Sequence, residues 1–124
     1  MATTARPLTL RLLGEIALQC DGAPRALPKS RKTRALLFYL AVEARPIRRE
    51  ILCELLWGSA ADPRAALRWS LSKLRPLLET PCGQALQADA HSIALDLNLV
   101  AIDALQAKAL LDHAVVKVAD ARLG

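Results

Sequence analysis

Residues 47–79 constrain the fold of this chain more than any other stretch, because they read as two helices joined by a signposted turn. The first runs from Arg48 to Trp57, with Ile51, Leu52, Leu55 and Leu56 as one apolar stripe. Gly58 stands where a helix end favours a residue able to take positive φ. Asp62-Pro63 then marks a helix start: a carboxylate for the free amides, followed by a residue that needs no amide at the first position. From Arg64 to Leu78, winding at about 100° per residue puts Leu67, Leu71, Leu74 and Leu78 on one face. The opposite face carries Arg68, Trp69, Ser72 and Lys73, with Arg64 and Arg75 on its border. A leucine seam behind and cations, a hydroxyl and an aromatic in front suit the DNA major groove. The segment is therefore a helix-turn-helix candidate.

The flanking sequence supplies a sheet on one side and a hairpin on the other. Leu8, Leu10 and Leu12 alternate with Thr9 and Arg11, and Ile16, Leu18 and Cys20 repeat the alternation after Gly14. Asp21-Gly22 is a tight-turn signal, and Ala26-Leu27 is a candidate third strand. These strands predict a small N-terminal antiparallel sheet. Pro28 closes it, and Ser30 caps a predicted helix that runs through Ala41 or Val42 and buries Leu36, Leu37, Leu40 and Ala41. After Glu79, Thr80-Pro81-Cys82-Gly83 reads as a break. Residues 85–88 and 92–96 then flank Asp89-Ala90-His91 as a hairpin. Asp103 is a candidate cap for a last helix from Ala104 towards Val118, with Ala107, Leu111, Val115 and Val118 roughly in line.

Charge follows this organisation. Residues 1–79 hold 14 Lys and Arg against 7 Asp and Glu, a balance of +7, whereas residues 80–124 hold 3 against 5, a balance of −2. Positive charge therefore coincides with the helical region, and a basic surface attracts polyanions, nucleic acid above all. Lys29, Arg31, Lys32 and Arg34 crowd the start of the first helix, and Arg48 and Arg49 the start of the second. Cations there oppose the helix dipole at a cost of roughly 0.3–1 kcal/mol each. Either the surface tolerates that cost as a solvated face, or these side chains meet phosphates.

Other chemistries find little footing. Cys20, Cys53 and Cys82 form no C-x-x-C pair, and His91 and His113 lie near no cysteine cluster, so no metal site is expected. The cysteines read as reduced thiols of a cytoplasmic protein. No segment approaches 18 uncharged apolar residues, so no membrane span is expected, and Arg11 and Glu15 break the N-terminal run that a signal peptide would need. There is no glycine-rich phosphate loop, and neither His has a carboxylate or nucleophile partner in sequence, so neither an enzyme nor a cofactor is expected.

Several blocks in order narrow the reading further. Leu10-Arg11-Leu12-Leu13-Gly14, the run from Lys32 to Ala41, Arg49-Glu50, Leu55-Leu56-Trp57, Ala65-Ala66-Leu67-Arg68 and the run from Leu71 to Arg75 together resemble the SARP-type bacterial transcriptional activators. The resemblance covers roughly residues 8–103. It implies an α+β fold: an OmpR-type winged helix-turn-helix with an N-terminal antiparallel sheet, three helices and a C-terminal hairpin wing, plus a short C-terminal helix. Residues 1–100 would be the DNA-binding winged helix. Residues 101–124 would be a C-terminal helix, the candidate start of a helical activation domain.

By position, the resemblance makes Arg64, Arg68, Trp69, Ser72 and Lys73 the base-reading candidates. Trp69 has a second reading, packing against the wing or a neighbouring helix. The phosphate candidates are Lys29, Arg31, Lys32, Arg34, Arg48, Arg49 and Arg75, and His91 marks the wing tip. Three positions depart from the family: Pro76 replaces a basic residue, Arg48 replaces a small hydroxyl cap, and the wing tip lacks glycines. The expected function is sequence-specific DNA binding in transcription regulation, with double-stranded DNA as partner and RNA polymerase and a second copy of the chain as further candidates. The rival is a protein-interaction winged helix of a larger regulator with weak or lost DNA binding.

Overall fold

The computed structural model describes residues 6–105 and Lys108. Strands β1 (Leu8–Arg11), β2 (Ala17–Cys20) and β3 (Ala23–Arg25) form an antiparallel meander. Leu8, Leu10, Leu18 and Cys20 face the core as the alternation predicts, and Leu12 packs partly buried against it, whereas Ile16 precedes β2 and is 45% exposed. Asp21 and Gly22 both take positive φ, 50° and 83°, which the two-residue turn between twisted strands demands. That turn sets the register, Leu18 opposite Arg25 and Cys20 opposite Ala23. The third strand therefore lies at 23–25 and not at the expected Ala26-Leu27.

Helix α1 (Arg31–Glu43) starts as predicted, with the Ser30 hydroxyl accepting from the Thr33 amide at 3.2 Å. It ends on Ala44 in the left-handed conformation. Strand β4 (Ile47–Arg48) leads into α2 (Arg49–Trp57), and α3 (Pro63–Leu74) follows, capped by Asp62, whose carboxylate accepts from the Ala65 amide at 3.1 Å. A 3₁₀ turn, Pro76–Leu78, continues it. Helix α3 stops at Leu74, and not at Leu78 as the leucine spacing predicts, because Pro76 has no amide for the ladder and its ring crowds the preceding turn. Leu67, Leu71, Leu74 and Leu78 are nonetheless all buried.

The remaining strands are β5 (Glu79–Thr80) and β6 (Gly83–Gln84), which make a tiny hairpin within the expected break, then β7 (Leu86–Ala88), β8 (Ser92–Leu95) and β9 (Val100–Ile102). Strands β7 and β8 are the predicted wing, with Ala88 opposite Ile93, and β4 adds a third strand beside β8. Strand β9 pairs in parallel with β1, giving the order β3-β2-β1-β9, so the N-terminal sheet is mixed and not purely antiparallel. This strand also carries the sheet two residues past the expected boundary at Val100.

Two local expectations need correction. In α2 the buried residues are Leu52, Cys53 and Trp57, whereas Ile51 and Leu55 are 47% and 55% exposed. Pairing of β4 with β8 and the Arg49 amide bonded to the His91 carbonyl at 2.9 Å set the helix phase from outside. With that phase, Cys53 and Trp57 fill the core in place of Ile51 and Leu55. Gly58 is right-handed, φ −58°, so it is not a left-handed cap. Its lack of a side chain serves a close approach: a Cβ would lie 2.7 Å from the Glu54 carbonyl oxygen. Gly58→Ala should therefore destabilise the fold by about 1–2 kcal/mol through overpacking against backbone. An unchanged urea midpoint would show that the turn relaxes freely.

Asp103 does more than begin a helix. Its carboxylate accepts from the Leu12 amide at 2.7 Å and the Leu13 amide at 3.2 Å, fastening the end of β9 to the loop after β1. Residues 103–105 are helical. The rest of the helix expected towards Val118 lies outside the described residues. Burial raises the Asp103 pKa, but the amides of Leu12, Leu13 and Ala104, with Arg11 nearby, outweigh it and hold the carboxyl below its ordinary value. A depressed folded-state pKa gives stability that is present above the unfolded value of 3.8 and lost as pH falls through the folded value. Acid unfolding followed by circular dichroism should accordingly lose part of its pH dependence in Asp103→Ala below about pH 5; identical slopes for the two proteins would remove Asp103 from the account.

Candidate nucleic-acid interface

Helix α3 presents two unlike faces. Leu67, Ser70, Leu71 and Leu74 are buried, while Arg64, Arg68, Trp69, Ser72, Lys73 and Arg75 are all exposed. No acidic residue occurs from Pro63 to Leu78, so every charge on the outward face is positive. The base-reading candidates thus lie together on one helix, with Arg75 just past its end.

Their free-state contacts differ. Arg68 makes no hydrogen bond or ion pair among the described residues. Lys73 lies over the Trp69 ring, its Nζ 5.2 Å from the centroid, a cation–π contact. Trp69 is 53% exposed. One edge of it borders a shallow apolar groove shared with Leu27, Pro28, Pro76 and Leu77, so neither reading of Trp69 is complete by itself. The Ser72 hydroxyl donates to the Trp69 carbonyl at 2.6 Å, which leaves its lone pairs as the free function.

The phosphate candidates divide likewise. Lys29, Arg31 and Lys32 are exposed and Arg34 half-buried at the start of α1. No acidic residue occurs from Gly22 to Val42. Arg48 is paired with Glu50 at 3.1 Å, both side chains well exposed. Arg49 donates to the Asp89 carbonyl at 2.8 Å and so braces the wing turn. Asp89 organises that turn, its Oδ1 accepting the amides of His91 and Ser92, each at 2.7 Å. Those bonds from Ser92 and His91 hold the Asp89 carboxyl below the ordinary carboxylate range. His91 is exposed at the tip.

An open groove of about 890 Å³ separates the wing tip from the start of α3. Arg49, Arg64, Arg68 and His91 line it, together with Glu50, Glu54 and Asp62. The backbone around Glu50 and the neighbouring Arg48 lower the Glu50 pKa, so its carboxylate is charged at neutral pH. The groove is therefore mixed in charge, and the cationic surface is concentrated on α3 and α1. Among the described residues there is no cluster of three or more His, Cys, Asp or Glu able to hold a metal, and no helix long and apolar enough to cross a membrane. Cys20 and Cys53 are buried and Cys82 is exposed, all unpaired.

Sequence reasoning missed residues that hold this surface in place. Arg25 Nη1 donates to the carbonyls of Leu77 and Glu79 at 2.8 and 2.6 Å, closing the 3₁₀ turn after α3. Asp89 was legible as a turn residue but not as the acceptor for both wing amides. Thr33 and Ser70 share a buried hydrogen bond with no local signal.

A sheet, three helices with the last two as a helix-turn-helix, and a β-hairpin behind them define a winged-helix domain. No protein-family model matches the chain, and no curated protein does. Among solved structures it is similar to Mycobacterium tuberculosis EmbR, determined in complex with a low-affinity phosphopeptide: 28% identity over 77% of this chain, with a TM-score of 0.62. EmbR is a SARP-family regulator, and the likeness supports a SARP-type N-terminal winged-helix domain here. The chain spans 27% of the EmbR chain.

Proposed function

We propose that this winged helix binds double-stranded DNA sequence-specifically, as the DNA-binding part of a bacterial activator-type transcription regulator in the cytoplasm. The observation that carries the reading is the exposed, acid-free outer face of α3 over a buried leucine seam. Arg64, Arg68 and Lys73 suit guanine edges or phosphates, the Ser72 lone pairs an exocyclic amine, and Trp69 a thymine methyl. Lys29, Arg31, Lys32 and Arg34 at the start of α1, with Arg75 beyond α3, would hold phosphates and set the register. Arg48, Arg49 and His91 would be secondary phosphate contacts, the first two after giving up internal partners. No step of this function calls for a catalytic group or a cofactor. RNA polymerase and a second copy remain the candidate protein partners.

Lys32 and Arg34 test the electrostatic part. Reversing either to Glu should weaken binding to all duplexes about equally and reduce the salt slope by about 1 per lost phosphate contact. Parent-like binding of both variants across a salt titration would return the start of α1 to a solvated face. The second reading, an interaction module with little DNA affinity, is favoured by the engagement of Arg48, Arg49 and Ser72 within the chain. Selection of bound sequences from a random DNA pool, followed by salt-dependent gel shifts, separates the two. Enrichment with a steep salt slope supports the DNA reader, and neither is expected of the interaction module.

A further inference from the structure

The hydroxyls of Thr33 in α1 and Ser70 in α3 lie 2.8 Å apart, their residues 0% and 2% exposed. Among the described residues the other buried polar side chain is Thr80, which is satisfied inside its own hairpin by the Gly83 carbonyl. The Thr33–Ser70 pair is thus a directional contact between two helices whose other buried residues are apolar. Thr33 is fixed at its other end too, since its amide is bonded to the Ser30 hydroxyl that caps α1. Ser70 follows Trp69, two residues after Arg68 and three before Lys73. A short chain of hydrogen bonds therefore runs from the basic start of α1 to the back of the helix that carries the base-reading candidates.

We infer that Thr33 and Ser70 are positioning residues that set the angle of the α3 outer face relative to the basic start of α1. This rests on the DNA-binding reading. Crossing angles of helices packed through apolar ridges scatter by about 15–20°. A tilt of about 20° about the Thr33–Ser70 contact displaces a residue one helical turn along the axis, about 5.4 Å away, by about 2 Å. Base-edge hydrogen bonds accept a window of only about 0.5 Å. Leucine packing alone leaves more freedom than sequence reading permits, and the buried hydroxyl pair removes it. Phosphate contacts, made by long flexible Lys and Arg side chains, are far less sensitive to the same tilt. The pair is thus a determinant of specificity more than of affinity.

The test compares Thr33→Val, Ser70→Ala, the double variant and Thr33→Ser with the parent, using the site enriched from a random pool and a scrambled duplex. Each single apolar change can orphan the remaining hydroxyl, so both should melt lower than the parent. The double change leaves no orphan and should recover most of that loss. Its ratio of preferred-site to scrambled-site affinity should nonetheless fall about tenfold, the size of one weakened base contact. Thr33→Ser, which keeps the hydroxyl, should restore the ratio. Residual dipolar couplings of the α1 and α3 amides, measured without DNA, should show α3 reset or averaged over several settings in the double variant. A double variant with the parent's affinity ratio and couplings would overturn the inference and make the pair a satisfied core contact. If the parent itself prefers no sequence, the functional reading falls, and the couplings still decide whether the pair sets α3.

Discussion

Leu52→Ala should lower stability by about 2–5 kcal/mol, whereas Leu55→Ala, three residues on in the same helix, should change it by no more than about 0.5 kcal/mol. Leu52 is 0% exposed and Leu55 is 55% exposed. Removing the first leaves a cavity between α2 and its neighbours, because the surrounding leucines relax only partly. Removing the second takes away a side chain already largely in water. For a unit of about 100 residues, each kcal/mol shifts the melting temperature by roughly 4–8 °C. The two variants should therefore separate clearly in one thermal scan. An equal loss for both would mean that α2 packs with the phase its leucine spacing implies, and that Cys53 and Trp57 do not hold the core positions described above.

That contrast also shows where sequence reading works and where it stops. The start and the buried face of helix α3 are legible because their signals are local: Asp62-Pro63 writes the start and four leucines the buried face, whereas their even spacing hides the end that Pro76 imposes. Once the buried face is known, the exposed set follows from helix geometry. Hence Arg64, Arg68, Trp69, Ser72 and Lys73 are found together on the surface, as the spacing predicts. The Asp21-Gly22 turn and the wing hairpin are legible for the same reason. Helix α2 has apolar residues at 51, 52, 53, 55, 56 and 57, nearly all round, so spacing cannot choose the phase. The choice is made by β4, which pairs with a strand more than forty residues away. Strand β9 is equally hidden, since Leu8 pairs with Val100 and no short motif encodes a partner at that distance. Candidate cations are easy to name, but their engagement is not. That Arg48 faces Glu50 while Arg49 braces the wing turn is a fact of tertiary structure.

Arg68 carries the largest expected effect on recognition. Arg68→Ala should cost about 1–3 kcal/mol on the preferred site and much less on scrambled DNA. The reason is geometric. Arg68 stands mid-helix on the outward face of α3, and it makes no hydrogen bond or ion pair among the described residues, so it would break no internal contact on meeting a base. Its planar fork matches the two acceptors of guanine. Lys73 differs, since it must first leave the Trp69 ring, a contact worth about 0.5–1 kcal/mol at an exposed site. Lys73→Ala should therefore be milder than Arg68→Ala. Circular dichroism of each variant must match the parent for the comparison to hold. A uniform loss on preferred and scrambled DNA would make Arg68 a phosphate contact and move the base-reading role to other residues of the same face.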